Sequence, residues 1–456
     1  MYSLFKVKFN WALFFGIAIF IRIVFTEMNW LSYIAILIFL HQFILLFYSI
    51  NYVIPIRYIF GAFMCLQMLL GPALAYNGLD KFQYFLYKMQ VPEDQYFSYA
   101  LPAVITFILG LHLGAGKLKG EVLDQKSLQQ YVDRNIRLAY IFVGIGFVAS
   151  FFAEYFSAGL SFVFVLLANL KYIGAFIIIL SNTKLKLLPL LIVLGSVVLS
   201  SLGNGMFHDL LTWLIMGGAV FAIKKRPSVQ LKLMVCAGFI LLTISIQLIK
   251  VSYRTAIGKN KQEAGISTLT EAFEDQKRES NQFFDLNELA WSNVRINQGY
   301  IITHVMQTVP NRVPFAKGGE LYKILESAFL PRVLAPDKLD AGEKVLFNKY
   351  SGMHLNKNTS MGLSSLGDGY INYGVFGGCA FMFALGFFYN IILKNFQKYS
   401  KYYPVLILFT PFVFIYSIRP DCELQTSLGF VVKSIFVIII IFQFWKSSFK
   451  VYPKTI

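Results

Sequence analysis

The fold is decided by apolar runs such as FVVKSIFVIIIIFQF (residues 430–444), in which Lys433 is the only charged residue. A run of this kind needs a lipid solvent, because a helix of about 20 mostly apolar residues spans the hydrocarbon core of a bilayer. The rest of the chain has the same character, with 57% hydrophobic and 14% charged residues, whereas about a quarter of the residues in soluble domains are charged. The sequence therefore predicts an all-α, polytopic membrane protein.

About twelve segments are apolar enough to form such helices. They cover residues 10–26, 30–51, 53–75, 97–115, 137–154, 159–181, 186–203, 207–223, 231–250, 364–392, 403–418 and 427–445. The chain is accordingly predicted to have three regions. Residues 1–251 hold transmembrane helices 1–9, residues 252–362 form one large extracytoplasmic loop, and residues 363–456 hold transmembrane helices 10–12 and a cytoplasmic tail.

The distribution of charge predicts the orientation in the membrane. The net charge is +17, yet residues 252–361 hold 14 basic and 12 acidic residues, so most of the excess lies in the short connections between apolar segments. Short basic connections face the cytoplasm, which places both termini there and the loop outside. Because membrane orientation explains the positive net charge, we do not expect nucleic acid to be a partner.

The loop is predicted to be partly helical rather than a flexible linker. Residues 281–309 carry apolar residues at helical spacings and end at Pro310, and residues 319–330 carry a helical stripe that ends at Pro331. Residues 260–279 and 338–359 show no such pattern, and we expect them to be irregular.

Four arginines near the predicted outer surface are candidate ligands for phosphate: Arg254, Arg295, Arg332 and Arg419. Guanidinium is always charged, and its fork of donors matches phosphate oxygens in pairs. The alternative is that each arginine only extends to a lipid headgroup.

Candidate general bases are carboxylates and histidines on the same side. Asp368 and His354 are the preferred ones, and the others are Glu154, His208, Asp209, His304, Asp421 and Glu423. Asp368 follows the start of an apolar segment, so a helix N-cap is its alternative role. For His208 and Asp209 a packed or interfacial pair is favoured over a catalytic dyad.

No metal or cofactor is expected. The four cysteines, Cys65, Cys236, Cys379 and Cys422, have neither the spacing of a disulfide framework nor that of a metal site. Charged residues inside the apolar segments are few, with Arg22 the clearest case, which disfavours a transporter.

The last third of the chain resembles bacterial oligosaccharide repeat-unit polymerases, the O-antigen polymerase class of integral-membrane glycosyltransferases. The similarity lies in FLPRVLAPDK (residues 329–338), TSMG (residues 359–362) and LGDGYINYGVFGG (residues 366–378). Similar proteins also show a proline- and arginine-containing loop followed by a Gly-acid-x-Tyr-x-Asn-aromatic-Gly entry into the next span.

The resemblance implies a function at the outer face of a bacterial cytoplasmic membrane. The implied substrates are undecaprenyl-diphosphate-linked oligosaccharides, as donor and as acceptor, and a flippase and a chain-length regulator are possible partners. Arg295, Arg332 and Arg419, supported by Arg254, would bind the diphosphate leaving group. Tyr370 would contact substrate, and Asp368 or His354 would accept the proton of the acceptor hydroxyl.

Two other functions remain open on the sequence. A ligase that moves finished glycan to a lipid or a protein would share most of these features. A lipid-linked oligosaccharide flippase would instead place charged residues in a central cavity.

Overall fold

The computed structural model describes residues 9–82, 85–115, 125–153, 155–156, 158–184, 186–205, 207–258, 265, 267–271, 274, 286–330, 334–335, 337–339, 342, 344–355, 361–445 and 449. These residues form helices, turns and short connections, and no β-strand occurs among them. The predicted all-α class is therefore confirmed.

The described helices fall into two groups, those that end at or before Gly258 and those that begin at or after Leu286. The first group is α1 (Trp11–Val24), α2 (Trp30–Ser49), α3 (Ile56–Tyr76), α4 (Glu93–His112), α5 (Gln125–Arg134), α6 (Ile136–Phe152), α7 (Ala158–Ala168), α8 (Leu170–Leu180), α9 (Leu187–Asn204), α10 (His208–Lys225) and α11 (Val229–Gly258). The second group is α12 (Leu286–Ile296), α13 (Gly299–Thr308), α14 (Gly319–Phe329), α15 (Lys344–Ser351), α16 (Ser364–Ser400), α17 (Thr410–Phe414) and α18 (Leu424–Phe444).

Six of the described helical stretches are long and apolar enough to cross a membrane, or seven if the bent pair α5–α6 is one span. The six are Trp30–Ser49, Ile56–Tyr76, Phe162–Leu180, Val229–Ile246, Ser364–Ser400 and Leu424–Phe444. Several long apolar helices thus indicate a membrane-embedded protein. The count of twelve spans stays a prediction. Residues 159–181 hold two helices, and residues 403–418 hold a 3-10 helix and the five-residue α17.

Helices α4 and α16 pack with their backbones almost in contact. A Cβ atom on Gly110 would lie 2.2 Å from the carbonyl oxygen of Phe383, and one on Gly386 would lie 2.2 Å from that of Phe107. Small residues permit this approach between membrane helices. The hydroxyl of Tyr99 on α4 also donates to the Leu366 carbonyl at 2.6 Å, so α4 holds the first turn of α16.

Helix α16 is broken at Gly374, where φ is 66° and ψ is −154°. Such a conformation is available to glycine without steric cost. The break frees the carbonyl of Ile371, and the amide of Ala316 donates to it at 2.8 Å. The side chain of Asn372 accepts from the Leu321 amide at 3.2 Å. The segment before the break is therefore fixed by the residues that lead into α14.

Residues 252–362, the predicted extracytoplasmic loop, contain more helix than the sequence indicates. Residues 286–308 form two helices, because the Asn297 side chain accepts from the Gly299 amide at 2.9 Å and starts a new helix. Helix α14 ends at Phe329, as the stripe predicts. The expectation that residues 338–359 are irregular is wrong for α15. Its Lys349 and Tyr350 bind the buried Glu320 of α14, each at 3.0 Å.

The contacts between α14 and α15 favour the ionised form of the Glu320 carboxylate. Burial opposes the negative charge of Glu320, but hydrogen bonds from Lys349, Lys323 and Tyr350 outweigh burial and lower the pKa of the carboxylate. The side chain therefore ties α15 to α14 at neutral pH.

Basic residues of several short connections bind helix carbonyls at the end of the bundle opposite α14 and α15. Lys186 and Lys224 both donate to the Ser181 carbonyl that follows α8. Lys232 donates to Phe47 at 3.0 Å, and Lys394 donates to Leu113 at 2.7 Å. Helix C-termini attract cations, so these basic residues stabilise helix ends. They are also among the basic residues of the short connections that predict the orientation in the membrane.

Candidate functional site

Arg419 lies in the connection between α17 and α18 and is held by one carboxylate. Its guanidinium donates to Asp421 at 2.9 Å, and 18% of its side chain remains exposed. Burial alone would lower the pKa of Arg419 and raise that of Asp421. Their attraction outweighs burial, so the pKa of Arg419 is raised and that of Asp421 is lowered. Arg419 is thus a fixed, accessible cation.

Gln67 completes the support of this pair from α3. Its side-chain amide donates to the other Asp421 oxygen at 3.4 Å. Residues 66–70 form a π-helical turn, a local widening that occurs often at functional sites. The Oε1 atom of Gln67 is buried without a hydrogen-bond partner in the described part of the chain. A polar group left in this state can accept a hydrogen bond from a ligand hydroxyl.

The thiol of Cys422, next to Asp421, is not a candidate nucleophile. Burial raises its pKa to about 12, and only the thiolate form of cysteine is reactive. The side chain lines a small space together with Arg419, Ser365 and Ser417. Hydroxyl groups therefore border the guanidinium on one side.

Asp368 is buried five residues into α16 and faces a cavity. The helix begins at Ser364 with Leu363 as its cap residue, so the alternative role of Asp368 as the N-cap is wrong. Its side chain is 5% exposed, and it lines the cavity together with Glu423. Asp368 and Ser365 lie within one turn of the same helix, which brings this cavity next to the space beside Arg419.

Glu423 is the second carboxylate of the cavity and belongs to the start of α18. The amide of Gly342 donates to it at 2.9 Å, and the hydroxyl of Thr426 donates at 3.2 Å. A Cβ atom on Gly362 would lie 2.8 Å from its Cγ. Gly362, two residues before α16 begins, therefore lies directly against this second acidic side chain.

The cavity is small and covered. Its volume is about 30 Å³, and Ile324 of α14 and Phe347 of α15 line it with Gly362. A space of this size accommodates about one water molecule. A sugar hydroxyl reaches Asp368 only if this cover moves.

The other predicted site residues are distributed around this centre. Arg295 is exposed at the end of α12, close enough to Tyr300 for its charge to act on that phenol. His354 is exposed after α15 and does not line the cavity. Tyr370 is 7% exposed, with its ring centroid 5.1 Å from that of Tyr99, so in this conformation it packs α16 against α4.

Two predicted arginines fall partly or wholly outside the described residues. Arg332 lies outside them. Arg254 lies near the end of α11, and the description covers its backbone only. Their predicted contact with a diphosphate stays a prediction.

The sequence alone did not indicate Gln67, and Glu423 and Asp421 stood only among the secondary candidates. Gln67 is a polar residue in the middle of an apolar segment, and such residues in membrane proteins are often functional. That signal was available. The pairing with Asp421 was not, because the two residues lie 354 positions apart.

No group of three or more His, Cys, Asp or Glu side chains that could hold a metal ion occurs among the described residues. No family model, no curated protein and no solved structure matches this chain. The resemblance to oligosaccharide polymerases therefore rests on the residue pattern in residues 329–378, and the chemistry of the site must carry any functional conclusion.

Proposed function

We propose that the chain is an integral-membrane glycosyltransferase that polymerises undecaprenyl-diphosphate-linked oligosaccharide units into a surface polysaccharide. The observation that carries the proposal is a pair of small cavities, one lined by the anchored Arg419 and Ser365 and the other by Asp368 and Glu423, which meet where Ser365 and Asp368 lie one turn apart on α16. This combination offers one group for an anionic leaving group and one for a proton.

Arg419 serves the leaving group. When the bond between the sugar C1 and the diphosphate oxygen breaks, its electron pair moves to the diphosphate. A preorganised cation in a poorly solvated site stabilises that charge. Asp421 and Gln67 fix the guanidinium so that little reorganisation is needed during the reaction. Arg295, Arg332 and Arg254 would contact the same diphosphate.

Asp368 serves the acceptor. The acceptor hydroxyl forms the new bond to C1 and transfers its proton to the carboxylate, as a general base requires. The cover formed by α14, α15 and Gly362 has to open for this hydroxyl to enter. Closing it again would exclude water, which would otherwise hydrolyse the donor.

The proposed location follows from the same assignment. The site would face the outside of a bacterial cytoplasmic membrane, with residues 252–362 over it and both termini in the cytoplasm. Short basic connections on the opposite side support this orientation. Cysteine-accessibility labelling of Cys substitutions at Ser228 and Lys323, on the two predicted sides, tests it directly.

The decisive experiment replaces the two central residues in cells that make the polymer. Arg419→Gln and Asp368→Asn are expected to abolish long chains while single lipid-linked units accumulate. Arg312→Gln is the matched control, because Arg312 is an exposed arginine of residues 252–362 that lines neither cavity, and it should retain wild-type chain lengths. Wild-type chains in both site variants would refute the assignment.

The species that accumulates separates the alternatives. A ligase variant would accumulate long lipid-linked chains, and a flippase variant would trap single units on the cytoplasmic leaflet. Lys171 and Lys433 lie inside candidate spans, but each lies against an aromatic ring, Phe147 at 5.3 Å and Phe162 at 4.0 Å. Each of these cations thus packs against an aromatic ring of a neighbouring helix, an arrangement that does not require a transported ligand.

A further inference from the structure

A groove runs between α8, α9 and α10 and is lined almost entirely by apolar side chains. Tyr172 and Phe176 line it from α8, Val193 and Val197 from α9, and Trp213 from α10. On each helix the lining residues recur at helical spacing, so the groove follows the helix axes over about 12 Å at 1.5 Å per residue. Its volume is about 200 Å³.

This volume is large enough to hold part of a hydrocarbon chain. An apolar cavity of about 150 Å³ in another protein stays dry and binds benzene. The space here is larger, and it is elongated along the helices. Leu194, one of its lining residues, is exposed, so the groove is open at the surface of the bundle. A flexible hydrocarbon chain can therefore enter from the surrounding lipid.

Two adjacent glycines keep the groove open on the α10 side. Gly217 and Gly218 both line it, and a Cβ atom on either would meet nothing within 4 Å. Glycine costs about 1 kcal/mol relative to alanine inside a helix. No close backbone contact explains these two glycines, whereas Gly110 and Gly386 are explained by one.

The Tyr172 end of the groove lies near Arg419. Tyr172 stacks on Trp213 at 3.9 Å between ring centroids, and the charge of Asp209 reaches the Tyr172 phenol. Asp209 is also close enough to Arg419 for their charges to interact. It pairs with His208 at 3.0 Å. Arg419, the cation that would bind an anionic headgroup, thus lies near the Tyr172 end of the apolar groove, with the Asp209 carboxylate close to both.

We propose that this groove holds the isoprenoid chain of the polyprenyl diphosphate substrate, with the diphosphate at Arg419. The inference rests on the proposed function, and it adds the position of the lipid tail. The chain lies along α8, α9 and α10, and its diphosphate end turns past the Tyr172–Trp213 stack. A groove about 12 Å long holds only the isoprene units next to the diphosphate, and the rest of the chain lies in the surrounding lipid.

The test fills the groove without touching Arg419. The double variant Gly217→Leu/Gly218→Leu places two side chains in the open space, and leucine is also the better helix former. Gly238→Leu is the matched control, because Gly238 is an exposed glycine of α11 with nothing within 4 Å of its Cβ position. Binding is measured for full-length protein in phosphatidylcholine nanodiscs.

The probes are undecaprenyl diphosphate, farnesyl diphosphate and inorganic diphosphate. Wild-type affinity should rise with chain length, because each buried methylene adds to binding. The filled variant should lose roughly tenfold or more in affinity for undecaprenyl diphosphate. It should bind inorganic diphosphate as the wild type does, and Gly238→Leu should match the wild type with every probe.

Three results would overturn the inference. They are an unchanged affinity of the filled variant for undecaprenyl diphosphate, an affinity that does not depend on chain length, and equally effective competition by phosphatidylglycerol. The proposed function fails separately if Arg419→Gln leaves the affinity for inorganic diphosphate unchanged. If wild-type protein binds no diphosphate in any form, both proposals are wrong.

Discussion

Arg57 and Arg419 are both arginines at the ends of helical segments in an apolar bundle, yet they occupy opposite kinds of environment. Arg57 is 4% exposed, donates to the Leu111 carbonyl at the end of α4, and donates to the Asn390 side chain at 2.7 Å. Arg419 is 18% exposed and donates to the Asp421 carboxylate. One guanidinium is buried and donates to two neutral groups of the protein, and the other is partly exposed beside an acid.

The difference shows that an arginine in this fold can either join helices or remain available for a ligand. Arg57 joins α3, α4 and α16 by binding a helix C-terminus, which carries partial negative charge, and its partner Asn390 also donates to the Gly110 and Leu113 carbonyls. No ligand needs to approach it. Arg419 is oriented by Asp421 but remains open to solvent, so it has the geometry of a binding residue.

The largest expected effect is the loss of Arg57. Arg57→Ala leaves a cavity and removes a donor from a buried carbonyl, and together these should lower the free energy of unfolding by roughly 3–5 kcal/mol. Unfolding of the purified protein in mixed micelles measures it. Arg137→Ala, at an exposed arginine, should change stability by less than about 0.5 kcal/mol. If Arg57→Ala and Arg137→Ala were equally stable, the structural role assigned to Arg57 would be wrong.

Asn390 should follow with a smaller loss. Asn390→Ala is expected to cost about 1–3 kcal/mol, the usual cost of leaving buried hydrogen-bonding groups without a partner. Because Asn390 binds Arg57 directly, the double variant should be less destabilised than the sum of the single variants. A double-mutant cycle on the same unfolding measurement gives the coupling. Strict additivity would show that the two side chains act independently.

The contrast between these two arginines shows which features of the structure could be predicted from the sequence and which could not. Helix positions follow from apolar periodicity, and the entry of Asp368 into α16 follows from the motif LGDG. The role of each arginine does not, because it depends on contacts between distant residues: Arg57 and Asn390 lie 333 positions apart. Both arginines look alike in sequence, at the edge of an apolar run. The hydrogen-bond partners that distinguish them exist only after the helices have packed.

Arg419→Gln should affect stability much less than Arg57→Ala. The Arg419–Asp421 pair is partly exposed, and such pairs contribute about 1 kcal/mol or less. The same unfolding measurement should therefore give a change of about 1 kcal/mol or less, while the affinity for inorganic diphosphate falls. A loss of stability as large as that of Arg57→Ala would make Arg419 a structural residue and would weaken its assignment to the substrate.

The smallest effect is the pH dependence of the Arg419–Asp421 pair. The pKa of Asp421 is lowered in the folded protein, mainly through the charge of Arg419 acting against burial. The stabilising contribution is therefore fully present above the unfolded pKa, which is about 3.9 for aspartate, and is lost as the pH falls through the lower folded value.

Asp421→Asn removes this titration while keeping the size of the side chain. At pH 7 the variant should be less stable than the wild type by about 1 kcal/mol or less, and the difference should shrink as the pH falls below about 4. Unfolding followed from pH 7 towards acid measures both curves. If the difference stayed constant across that range, Asp421 would support Arg419 through packing rather than charge. Arg419 would then depend on its neutral surroundings much as Arg57 does, and the distinction between the two arginines would rest on exposure alone.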